Sequence, residues 1–129
     1  MSKYIKVATN LVDRECLKKG LGDLGLACQE NCLAHGWHTT QQADVVVPRA
    51  QLPGHCIGDL GFVWDADAGR FKLIIDEMDQ RRPEVQRLLG QVAQRHACHR
   101  VVGMARQRGL AVSQIQEQGG VLQVVLRGV

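Results

Sequence analysis

The chain predicts an α+β fold: a mostly antiparallel sheet with two to three helices packed on one face, in the order β-α-β-β-β-β-α(kinked)-β-β. Three observations carry this. Only two stretches have helical spacing with end signals. The segments between them alternate with period two around turn residues. The order, with strands clustered between two helices, favours a layered α+β arrangement over alternating βαβ units. At 129 residues the length fits one domain spanning residues 1–129.

Residues 3–11 open as a strand, with Tyr4, Ile5, Val7, Ala8 and Leu11 among polar neighbours. Asp13 then caps a helix running to about Leu24. Leu17, Leu21 and Leu24 mark its buried stripe, and Gly25 sits where a C′ glycine ends a helix. Gly20 and Gly22 weaken that helix, which fits close packing on the sheet. After residue 28 come a strand running to a turn at Gly36, and a second, Ala43–Val47, followed by a loop bracketed by Pro48 and Pro53. The clearest hairpin joins Leu60–Asp65 to Arg70–Asp76. Leu60, Phe62 and Trp64 share one face of its first strand, and Phe71, Leu73 and Ile75 one face of its second. Pro83 starts the second helix. Its stripe Val85, Leu88, Leu89, Val92, His96 changes phase to Cys98, Val101, Val102, Ala105, so a break or kink is expected near His96–His99. Gly109 ends it, and Val112–Glu117 with Val121–Arg127 forms a last hairpin around Gly119-Gly120.

Composition bounds the function. Hydrophobic residues make up 45% and charged residues 22% of the chain, enough for an ordinary core. No apolar run reaches the length of a spanning helix, so no membrane insertion is expected. The start Met1-Ser2-Lys3-Tyr4-Ile5-Lys6 has no apolar signal segment, so the expected location is cytoplasmic. There the 5 cysteines are simplest as free thiols. A net charge of +3 is only mildly basic.

Several short segments resemble a known family. They are Asp59-Leu60-Gly61-Phe62-Val63-Trp64-Asp65, Gln94-Arg95-His96-Ala97-Cys98-His99-Arg100-Val101-Val102, and the Gly109–Arg127 hairpin with its basic-ended last strand. The Asp-led helix with Asp23-Leu24-Gly25, and Thr39-Thr40 followed by Ala43-Asp44-Val45-Val46, fit as well. Together they are similar to the hypothetical chloroplast reading frame thirty-five family, a domain of unknown function in cyanobacteria and red-algal plastids. The resemblance implies a small soluble protein and carries no activity or catalytic residues to transfer. Where the family is expected to have Tyr-Ala-Tyr, this chain has His96-Ala97-Cys98.

The densest chemistry lies in Cys28-Gln29-Glu30-Asn31-Cys32-Leu33-Ala34-His35-Gly36-Trp37-His38. Cys28, Cys32, His35 and His38 are candidate ligands for zinc or an iron–sulfur centre. A strand, however, separates Cys28 from Cys32 by about 13 Å, against the 3.5–4 Å roughly needed between donors of one zinc. Such a centre is therefore the alternative, and no cofactor is the expectation. Cys56, in the Pro/Gly-rich loop, is the candidate reactive thiol. The adjacent pairs His55-Cys56 and Cys98-His99 are poor evidence for dyads, because neighbours diverge on strand and helix alike. Asp59, Asp65, Asp67, Asp76, Glu77 and Asp79 crowd the central hairpin, where turns favour Asp in any case. No nucleotide-binding or nucleophile-elbow motif is present.

The expected function is a non-catalytic binding or accessory subunit for another protein. Its partner would meet an exposed sheet edge or the arginines Arg87, Arg95, Arg106 and Arg108. The same edge would serve a homo-oligomer. An RNA-binding module is a further alternative, with Trp37 the aromatic most exposed to a base.

Overall fold

The computed structural model describes residues 3–128. Its elements are β1 (Tyr4–Ala8), α1 (Arg14–Asp23), β2 (Gln29–Gly36), β3 (Thr39–Val47), β4 (Leu60–Asp65), β5 (Arg70–Asp76), α2 (Glu77–Gln80), α3 (Pro83–Gln107), β6 (Leu110–Gln118) and β7 (Val121–Gly128). Five strands form one antiparallel sheet in the order β1-β5-β4-β3-β2. Helices α1 and α3 cover one face, where Leu17, Leu21, Val85 and Val92 meet Val45, Val47, Leu60, Phe62, Leu73 and Ile75. This is the layered α+β architecture the element order predicts.

Local chemistry sets the ends of α1. Asp13 accepts a hydrogen bond from the Cys16 amide at 2.9 Å. Gly25 takes a φ of 73°, and the Leu26 amide donates to the Leu21 carbonyl at 3.0 Å, a Schellman-type stop. The first strand is shorter than expected, ending at Ala8. The Thr9 hydroxyl donates to the Phe71 carbonyl at 2.6 Å and accepts from the Leu11 amide at 3.1 Å, which turns the chain out of the ladder.

The glycines of α1 behave differently from expectation. A Cβ on Gly20 would lie 3.2 Å from Arg95 Cβ and from the His96 amide nitrogen, so the close approach is to α3 rather than to the sheet. Around Gly22 nothing lies within 4 Å. Gly22→Ala is therefore expected to stabilise the protein by about 0.5–1 kcal/mol through helix propensity. Gly20→Val should destabilise it by about 1–3 kcal/mol by forcing two helices apart. Urea titration of both variants checks the contrast.

Helix α3 runs without the expected break near His96–His99. The phase change in its apolar stripe is a change of partner. Val85 and Val92 face the main core, whereas Val101, Met104 and Ala105 face β6 and β7. One straight helix can serve two surfaces at different azimuths, so no kink is needed. The C-terminal hairpin forms a separate two-stranded sheet and does not extend the main one.

The second face of the main sheet is covered by the sheet's own hairpin. Asn31 takes a φ of 51° and falls between the paired positions Glu30↔Val45 and Cys32↔Ala43. Beyond that bend β2 and β3 fold back over β4. Ala34, Ala43 and Val46 are buried there with Tyr4, Cys32 and Val63 against them. The approach needs small residues: a Cβ on Gly61 would lie 3.3 Å from Ala34 Cβ and 3.4 Å from Ala43 Cβ.

Candidate functional site

The folded-back hairpin ends in a two-residue turn, Trp37-His38, between the paired Gly36 and Thr39. His38 has a φ of 54°. The turn is anchored to the loop before β4. The His35 amide donates to Asp59 Oδ2 at 2.9 Å, and the Asp59 amide donates to the His35 carbonyl at 2.8 Å. His35 Nδ1 lies 3.3 Å from the same Oδ2. Asp59 Oδ1 accepts from the Arg49 amide at 2.9 Å, so one carboxylate ties the turn to the start of the 48–59 loop.

Aromatic packing fixes the same point. The Tyr4 hydroxyl donates to the Asp59 carbonyl at 2.6 Å. Its ring lies flat on Gly36, where an added Cβ would come within 2.8 Å of Tyr4 Cγ. Burial raises the Tyr4 phenol well above the usual tyrosine value, and the negative charges of Asp59, Asp79 and Asp76 raise it further.

Asp79, from α2, supports the loop from below and is 1% exposed. Its oxygens accept from the Ile57 amide at 3.0 Å and the Gly58 amide at 3.1 Å. Arg82 Nε donates to it at 3.4 Å, while Arg82 Nη2 donates to the His55 carbonyl at 3.1 Å. Asp59 and Asp79 thus act as acceptors for backbone amides. Their chemistry is that of a scaffold holding a loop in one shape.

The four candidate ligands do not converge. Cys28 packs against the main core, and Cys32 against the cluster on the opposite face. His35 sits on Asp59, and His38 lies edge-on to Trp37 with ring centroids 4.7 Å apart. Among the described residues no group of three or more His, Cys, Asp or Glu side chains is arranged to hold a metal ion.

Cys56 is buried, contrary to the exposure expected of its loop. Its Sγ donates to the Pro53 carbonyl at 3.4 Å. Burial, then the charge of Asp79, pushes the thiol up to about 11, so it is protonated and weakly nucleophilic at neutral pH.

Arg87, Arg95 and Arg106 on α3 and Arg108 at its C-cap do not form one stripe. At about 100° per residue they fan over roughly 160° of the helix. Arg95 is paired with Glu117 at 3.3 Å. Arg87 lines a cleft with Leu26 and Pro53, and Arg108 one with Met104 and Leu126.

Two histidines clamp α1 to α3: His96, which the helical stripe already places on the buried face, and His99. His96 is 3% exposed, and its Nε2 accepts from the Val12 and Asp13 amides at 3.3 and 3.2 Å. His99 Nε2 lies 2.6 Å from Asp23 Oδ2 at the other end of α1. Desolvation, then the charge of Arg100, holds His96 below the usual histidine value, against a weaker pull from Asp13. An acceptor nitrogen must stay neutral, so the folded protein binds this proton less readily than the unfolded chain. The contribution is complete above the ordinary value of about 6.5 and is lost as pH falls from there through the folded value. Urea midpoints should therefore drop between pH 7.5 and 5, and in His96→Phe that part of the drop should vanish.

A family model described as Protein of unknown function (DUF1257) matches residues 20–125, which takes in α3, β6, the first part of β7 and the Trp37 turn with Asp59 and Asp79, but not Tyr4. The chain belongs to this family. The chain is also similar to two relatives, each called uncharacterized protein ycf35. That of Pyropia yezoensis is 24% identical over 131 residues, covering 98% of this chain and 97% of the relative. That of Guillardia theta is 26% identical over the same length and the same shares. No solved structure matches the chain. The resemblance read from residues 59–65, 94–102 and 109–127 is thus borne out, and with it membership of a family of uncharacterised function. No helix among the described residues is long and apolar enough to cross a membrane.

Proposed function

We propose that this DUF1257 chain is a cytoplasmic, non-catalytic binding subunit whose protein partner docks on the Trp37 turn. The observation that supports the reading is a tryptophan 51% exposed at the tip of a turn that Asp59 and Tyr4 anchor. A large apolar ring in water is unfavourable unless something covers it, and tryptophan is among the residues that dominate binding energy at interfaces. Leu33, on the same hairpin, is 47% exposed. Asp59, Asp79 and Tyr4 hold the turn in place, so little ordering cost would fall on binding. The carboxylates beside it are occupied by backbone amides, which favours binding over acid–base chemistry.

Affinity capture from the source organism with the tagged full chain tests this. The wild type should retain a defined protein at stoichiometric yield. Trp37→Ala should weaken that retention by tenfold or more while leaving the thermal midpoint unchanged. Equal retention by both forms, or no retained protein, would overturn it. A bound species that is RNA, released by modest salt, would transfer the turn to the nucleic-acid alternative.

A further inference from the structure

The C-terminal hairpin poses a problem that the Trp37 turn does not solve. A two-stranded sheet is marginal in water unless a third strand or a helix covers it. Helix α3 covers β6 and β7 incompletely. Six of the ten large hydrophobic side chains exposed among the described residues lie here: Val101, Met104, Ile115, Val121, Val125 and Leu126. Two apolar clefts of about 240 and 180 Å³ remain between α3 and β7, lined by Val101, Leu122 and Val124, and by Met104 and Leu126.

Surface area says how much cover is missing. The chain exposes 7755 Å². A compact monomer of 14.2 kDa exposes roughly 6,800 Å². The excess over the whole chain, about 1,000 Å², is large enough to include the ~800 Å² that each partner contributes to a stable interface.

The edge chemistry says what fits. Natural sheets guard free edges with lysine, proline or bulges. β6 and β7 contain neither lysine nor proline. β6 has an irregularity between Val112 and Gln114, which disturbs its edge, while β7 is regular throughout. The two strands carry one charge each, Glu117 and Arg127, of opposite sign, and Glu117 is already paired with Arg95. Nothing repels an identical strand. Antiparallel pairing of a strand with its own copy is also self-complementary about a twofold axis. Centred on Val124, such an axis sets Leu122 of each strand against Leu126 of the other.

We infer that the chain forms a homodimer in which the β7 edges pair, making a continuous four-stranded sheet backed by two α3 helices. The surface is distinct from the Trp37 turn, and the inference is independent of what docks there.

Sedimentation equilibrium on the full chain between 1 and 100 µM tests it. The wild type should approach twice the chain mass. The double variant Val121→Lys/Val125→Lys, at positions 58% and 44% exposed, should raise the dissociation constant at least 100-fold, and Trp37→Ala should leave it unchanged. A wild type monomeric at 100 µM, a lysine variant that still dimerises, or a dimer lost in Trp37→Ala would each overturn the assignment. Hydrogen exchange on the wild type needs no variant: β7 amides should gain protection with concentration, and protection that does not change as the dimer forms would also overturn it.

Discussion

Asp79→Ala is expected to destabilise the protein by about 3–5 kcal/mol. The carboxylate is 1% exposed and accepts from two backbone amides and one guanidinium. Alanine would leave the Ile57 and Gly58 amides without an acceptor in a site too buried for water to replace it freely. Most of the cost comes from those amides. Arg82 is a third exposed, so its charge is partly solvated and the ion pair contributes less. Asp79→Asn keeps one acceptor oxygen and should cost clearly less than alanine. Urea denaturation of both variants measures the difference; equal losses would show that the guanidinium, not the amides, dominates. The damage should also spread to function. Gly58 sits under His35, where an added Cβ would approach the His35 carbonyl oxygen to 3.0 Å. A loosened loop therefore frees the Trp37 turn, and partner retention should weaken in Asp79→Ala although Trp37 itself is intact.

Features governed by neighbours in the chain were legible in the sequence. Asp13 and Gly25 define α1 because capping is decided within four residues. The Leu60–Asp76 hairpin is legible because alternation and its Asp67-Ala68-Gly69 turn agree. The anchored turn was not legible, because its bonds span long separations: Tyr4 reaches Asp59 across 55 residues, and Asp79 reaches Ile57 across 22. Periodicity has no access to such contacts. The fold-back at Asn31 rests on one positive φ, which asparagine tolerates but does not announce. One signal was available. Ala34, Ala43 and Gly61 are small residues in strands otherwise rich in larger ones, and small residues permit close approach of two layers. The phase change in α3 was read correctly as a pattern. Its cause is not legible, because periodicity within α3 does not show that the separate β6–β7 hairpin packs against the helix's C-terminal half.

The core should show its own sharp contrast along β4. Phe62→Ala is expected to cost about 3–5 kcal/mol. Phe62 is 1% exposed and sits mid-sheet, opposite Val45 on one side and Leu73 on the other. Both neighbours are held by ladder hydrogen bonds and are themselves buried, so the strands cannot close on the cavity. Two residues on, Trp64 is a larger ring but is 43% exposed, resting edge-on against Phe71 at 5.1 Å. Its replacement by alanine loses part of one aromatic contact and opens no cavity, so the cost should be about 1 kcal/mol. Side-chain size alone predicts the reverse order, and residual cavity volume predicts this one. Chemical denaturation of the two variants separates them. A Trp64→Ala loss as large as that of Phe62→Ala would mean that Trp64 is covered in solution, which would make the cleft it lines with Val12, Arg14 and Asp44 a contact surface in its own right.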